Sequence, residues 1–125
     1  MTPADVEARM AALAPSLDLG ALADCDLIIE AVFENMAIKK ELFAKLDKIA
    51  KPDAVLATNT STLDVNEIAS ATARPESVIG MHFFSPVHKM PLLEVIVTPQ
   101  TAGEVVTTVV EYGRRIGKTV IELRP

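Results

Sequence analysis

Apolar positions along the chain fall into two textures. In the first they are nearly continuous over short runs: "DLIIEAV" (26–32), "AVLAT" (54–58), "SVIGMHF" (77–83), "PLLEVIV" (91–97) and "KTVIEL" (118–123). Runs of that length, rich in Val, Ile and Leu and bounded by polar or Pro positions, predict strands buried on both faces. In the second the apolar positions recur at helical spacing. "ADVEARMAAL" after Thr2-Pro3 predicts a helix with a Thr cap and Pro in its first turn. "MAIKKELFAKLDKIA" (36–50) places Met36, Leu42, Phe43, Leu46 and Ile49 near one stripe, and Lys51-Pro52-Asp53 ends it. Asp64 caps a predicted helix over "VNEIASAT", with Glu67 as its capping-box partner. "AGEVVTTVVEYGRRIG" predicts the last long helix, after the Thr98-Pro99 stop. Strand and helix alternate with short links, so the expected architecture is α/β, with βαβ units and a mostly parallel sheet flanked by helices.

Composition narrows the function. The chain has 125 residues, half of them hydrophobic, with only Tyr112 and four Phe as aromatics, so one aliphatic core is expected. A net charge of −5, with its Lys and Arg spread along the chain, provides no basic stripe for a nucleic acid. No run reaches the ~20 consecutive apolar residues of a membrane-spanning helix. The acidic, amphipathic start "MTPADVEARM" is not a secretory signal, and a single cysteine, Cys25, points to a reducing compartment. The expected location is cytoplasmic. His82 and His88 have no metal-ligand spacing, so no metal is expected.

Candidate chemistry gathers at the C-terminal ends of predicted strands, where open α/β sheets bind ligands. Glu34-Asn35 follows the first strand, Asn59-Thr60-Ser61 the second, and His82 lies at the end of the third. His82 has two readings: a core histidine satisfied by a backbone carbonyl, or a general base. Glu94 interrupts an apolar strand, where a carboxylate costs several kcal/mol unless it is paired. Either that strand is an edge with the side chain in water, or the Ser85-Pro86 break turns the chain back and His82 faces Glu94. A carboxylate beside an imidazole fixes its tautomer and stabilises the imidazolium. Ser61 reads as a turn residue ahead of the Asp64 cap, or as a hydrogen-bond donor beside the base. Lys39 and Lys40 read as a solvated face unless the turn at 33–35 holds a charged ligand. The five glycines form neither G-x-G-x-x-G nor a P-loop, the turns that bring backbone amides against a pyrophosphate or phosphate.

Together, "DLIIEAVFENMAIKKELF", "ATNTSTLDV", "IGMHFFSPVHKMPLLEVI" and "GRRIGKTVIEL" resemble the L-3-hydroxyacyl-CoA dehydrogenase family of fatty-acid β-oxidation, from about residue 3 to the end. The resemblance implies a Rossmann-like domain, NAD as cofactor, and oxidation of the 3-hydroxyl of an acyl-CoA to a ketone. It implies His82 as the base, Glu94 as its orienting partner and Ser61 as a hydrogen bond to the substrate oxygen. Glu34, Lys39 and Asn59 match positions along the cofactor. Ser85 stands where many members carry Asn, which makes it a weaker substrate contact. That feature, with "PVHKMPLLE", is more like the large multifunctional β-oxidation proteins. Expected partners are an acyl-CoA, a second copy of the chain, and a fused hydratase or a thiolase.

In the family a Gly-rich first βα unit precedes the residues matched here and a helical domain follows them. The expectation is therefore that residues 1–125 are the C-terminal portion of the NAD-binding domain, binding the cofactor weakly when alone. The alternatives are a non-catalytic fragment or interaction module of the same fold, and a related sugar-acid dehydrogenase.

Overall fold

The computed structural model describes residues 1–125. Helix α1 (Pro3–Ala11) starts with a full capping box: the Thr2 hydroxyl accepts the Asp5 N–H, and the Asp5 carboxylate accepts the Thr2 N–H. It buries no residue, and Val6, Met10, Leu13 and Leu17 stand exposed on it and just beyond it. Then follow β1 (Leu27–Glu30), α2 (Met36–Ile49), β2 (Val55–Thr58), α3 (Val65–Ala69), β3 (Val78–Phe83), β4 (Leu92–Ile96), α4 (Gly103–Arg115) and β5 (Thr119–Leu123). Each element lies inside its expected stretch or overlaps it closely. Two 3-10 turns, Leu19–Leu22 and Pro75–Ser77, carried no apolar periodicity and were not expected. No helix is long and apolar enough to cross a membrane.

The five strands form one sheet in the order β1-β2-β3-β4-β5. Helices α2 and α3 return the chain so that β1, β2 and β3 run parallel, and α4 does the same between β4 and β5. Residues 84–91 contain no crossover helix, so β3 and β4 form an antiparallel hairpin, the one exception to the parallel order. β4 therefore lies inside the sheet, between β3 and β5. The reading of Glu94 as an edge-strand residue in water is overturned.

Each face of the sheet has its own core. Leu56, Val78 and Ile28 pack with Phe43 and Leu46 of α2 and Val65 and Ile68 of α3. Val55, Ile79, Met81, Leu93 and Val95 pack with Val105, Val106, Val109 and Val110 of α4. Every residue of β2 is buried, which explains its unbroken apolar run. Helix α4 comes close to β4 and β5 at Gly113, where a Cβ would lie 2.8 Å from both Leu93 Cδ2 and Val120 Cγ2.

Two expectations about polar residues need correction. Asp64 does cap α3, but its Oδ1 accepts the Asn66 N–H and Glu67 returns no bond. Helix α3 is only five residues long and Glu67 points to solvent, so the box does not close. Lys39 is not on a solvated face: it is 1% exposed, whereas Lys40 is half-buried. Arg74 was not singled out in the sequence, yet it closes the end of α2. Its guanidinium donates to the Asp47 carboxylate and to the carbonyls of Asp47, Ala50 and Lys51, groups left without helical partners.

Candidate active site

Register places the polar residues in a row. Side chains two apart on a strand, and partners across a ladder, share a face. Glu30 pairs with Thr58, Thr58 with Gly80, and two residues beyond Gly80 His82 pairs with Glu94. Glu30, Thr58, His82 and Glu94 therefore lie on the face that carries α2 and α3, toward the ends of β1, β2 and β3.

His82 Nδ1 and Glu94 Oε1 are 2.9 Å apart, with side chains 18% and 28% exposed. The carboxylate accepts the Nδ1 proton, which leaves the Nε2 lone pair free to accept another. Phe84 stacks at a tilt on the imidazole, with ring centroids 4.7 Å apart. Asn59 Oδ1 accepts the Phe83 N–H at 2.9 Å, tying the end of β2 to β3 beside His82. The loop after His82 is held from a distance. Lys118, at the foot of β5, donates to the carbonyls of Val87 and Met90. Ser85 and His88 are exposed on this loop.

Glu34 is the second focus. Its carboxylate accepts from the Thr60 hydroxyl (2.9 Å), the Ser61 N–H (2.9 Å), the Ser61 hydroxyl (3.1 Å) and the Thr62 N–H (3.3 Å). Partial desolvation acts to raise its pKa, but these donors outweigh it and hold the carboxyl down at about 2 against an ordinary 4.5. A carboxyl whose folded pKa lies below its unfolded one stabilises the fold above pH 4.5, and loses that contribution as pH falls toward 2. Melting curves of the chain and of Glu34→Gln should therefore differ most at neutral pH and converge between pH 4.5 and 2. A constant gap through that window would refute the assignment.

Behind Glu34 lies a buried pair that the sequence reading did not assemble. Lys39 Nζ is 2.5 Å from Glu30 Oε2 and 3.5 Å from Glu34 Oε1. Glu30 also accepts from the Thr58 hydroxyl (2.6 Å) and the Val32 N–H (2.9 Å). Glu30 interrupts the apolar run of β1 as Glu94 interrupts that of β4, so the same signal marks both.

In front of Glu34 the chain offers an apolar shelf of Ala31, Val32, Phe33 and Ile38 around a shallow cavity of about 460 Å³. Phe33 is 83% exposed. A larger cleft of about 780 Å³ opens between Ser61–Asn66 and the strand ends at Ile96–Pro99 and Leu123–Pro125. Ser61 lines this cleft while it binds Glu34, and Ile96 shares the face of β4 with Glu94. Thus His82, Glu94, Ser61, Asn59 and Glu34 gather along one sheet edge. Lys39 lies beneath that edge, and Ser85 is on the loop beyond it.

The family described as "3-hydroxyacyl-CoA dehydrogenase, NAD binding domain" matches residues 1–125. A peroxisomal bifunctional enzyme of Danio rerio is 47% identical over 116 residues, which cover 93% of this chain and 16% of that protein. A fatty acid oxidation complex subunit alpha of Vibrio cholerae is 42% identical over 124 residues, 99% of this chain and 18% of that one. The chain thus spans less than a fifth of these relatives' lengths. The crystal structure of 3-hydroxybutyryl-CoA dehydrogenase from Escherichia coli K12 superposes with a TM-score of 0.95 at 39% identity, over 99% of this chain and 26% of that one. With a family match over every residue and the same strand-and-helix frame, the chain belongs to the 3-hydroxyacyl-CoA dehydrogenase NAD-binding-domain family.

Proposed function

We propose that the protein oxidises an L-3-hydroxyacyl-CoA to the 3-ketoacyl-CoA in fatty-acid β-oxidation, with NAD as hydride acceptor, within a larger multifunctional chain in the cytoplasm. The observation that carries this reading is the 2.9 Å contact between His82 Nδ1 and Glu94 Oε1 on paired strands. With Nδ1–H bound to the carboxylate, Nε2 accepts the proton of the substrate hydroxyl as the O–H bond breaks and the C=O bond forms. Glu94 stabilises the imidazolium that results.

The residues present fit the cofactor. The shelf of Val32, Phe33 and Ile38 suits a flat ring, and the ionised Glu34 beside it suits a positively charged one. Held there by Glu34 and the shelf, NAD would supply the acceptor for the hydride from the substrate carbon. Ser61 has two donors on Glu34, and its N–H bond at 2.9 Å is the shorter. Its hydroxyl can therefore turn to a substrate oxygen while the backbone keeps hold of Glu34. Ser85, exposed on the loop clamped by Lys118, is offered as a weaker contact to the acyl-CoA. Asn59 holds the Phe83 backbone and so keeps His82 in place.

The test is NADH oxidation driven by acetoacetyl-CoA, measured on the whole gene product. Turnover that depends on the CoA ester is expected. Turnover with a 3-hydroxy or 3-keto sugar acid and none with the CoA ester would overturn the substrate assignment.

A further inference from the structure

We propose that Glu30 and Lys39 are a positioning pair that sets the Glu34 carboxylate and, through it, the Thr60–Thr62 turn carrying Ser61; its bearing on catalysis rests on the function proposed above. Lys39 is 1% exposed and the Glu30 side chain is 0% exposed, so both lie beneath the surface that Glu34 occupies. The ammonium has three protons and three oxygens around it: Glu30 Oε2 at 2.5 Å, the Val32 carbonyl at 3.4 Å and Glu34 Oε1 at 3.5 Å. Action through Glu34 gives Lys39 a route to the cofactor besides the direct contact that the resemblance implies.

The pair grips one short segment from both sides. Glu30 accepts the Val32 N–H, while Lys39 donates to the Val32 carbonyl and faces the Glu34 carboxylate. Residues 31–34 are otherwise exposed. From Glu34 the hold passes across to β2, because that carboxylate gathers the Thr60 hydroxyl and the Ser61 and Thr62 amides. An apolar pair would fill the space between β1 and α2 without the cost of burying two charges. It would have no means of reaching Val32 or Glu34.

This contrast supplies the test. In the double variant Glu30→Leu/Lys39→Met the charges leave together, so the fold is retained. Amide hydrogen exchange at Ser61 and Thr62, read by NMR on the full chain, should quicken by about tenfold or more. Exchange in β2 and β3 should stay as it was. In the whole gene product the KM for NADH should rise about tenfold while the KM for the acyl-CoA holds. If the double variant does not fold, Glu30→Gln/Lys39→Gln keeps a neutral polar pair in the same space and is read the same way. A folded variant with wild-type exchange at Ser61 and Thr62 overturns the proposal. Faster exchange with unchanged NADH kinetics upholds the positioning pair and removes the cofactor from this shelf.

Discussion

His82→Gln is expected to lower turnover by about 10²- to 10⁴-fold, with the KM for NADH little changed. Gln has nearly the same reach, and its amide can still donate to Glu94, so the strands need not move. What it lacks is a lone pair on nitrogen that can accept a proton, the one property the proposed chemistry takes from Nε2. Glu94→Gln should cost turnover on a similar scale by a different route. Its amide N–H would face Nδ1, favouring the tautomer whose proton sits on Nε2, where the substrate proton must go. Stopped-flow or steady-state rates of the two variants, with folding checked by circular dichroism, decide the matter. Full activity in His82→Gln would end the assignment of a base to this hairpin.

The single substitution Glu30→Leu is expected to destabilise the protein by about 3–5 kcal/mol, because it strands the Lys39 ammonium in the interior. For a domain of this size that is a fall in Tm on the order of 10–20 °C. Lys39 loses its carboxylate partner at 2.5 Å and keeps only the Val32 carbonyl at 3.4 Å and Glu34 at 3.5 Å, whose oxygens are already engaged by the Thr60–Thr62 turn. Adding Lys39→Met should recover most of the loss. Thermal melts of the single and double variants read both numbers. A single variant as stable as the parent would mean that the ammonium finds water or sheds its proton without penalty.

Much of this arrangement was legible in the residues. The buried strands announced themselves as unbroken Val, Ile and Leu runs, and a carboxylate inside such a run flagged Glu94 before any partner was visible. The Ser85-Pro86 break marked where the chain reverses, although a parallel pattern elsewhere concealed that one pair of strands runs opposite. Lys39 was harder to read. Its spacing from Met36, Phe43 and Leu46 follows the buried stripe of α2, but charge suggested the solvent side, and no local pattern shows that Glu30, nine residues earlier, neutralises it. Arg74 and Lys118 were invisible for a related reason. They bond to main-chain carbonyls more than twenty residues away, and a carbonyl leaves no trace in residue identity. The Asp64–Glu67 spacing matched a capping box, but the side chain chose the nearer amide.

The hairpin that unites β3 and β4 separates two demands on neighbouring residues: which side chains meet across the ladder, and what the turn between the strands touches. The pairing of His82 with Glu94 is dictated by ladder hydrogen bonds from Gly80–Ile96 to Phe83–Leu93, not by the residues between the strands. Residues 84–91 can consequently change without altering which residues face each other, except that Phe84, stacked on the imidazole, ties the start of the loop to His82.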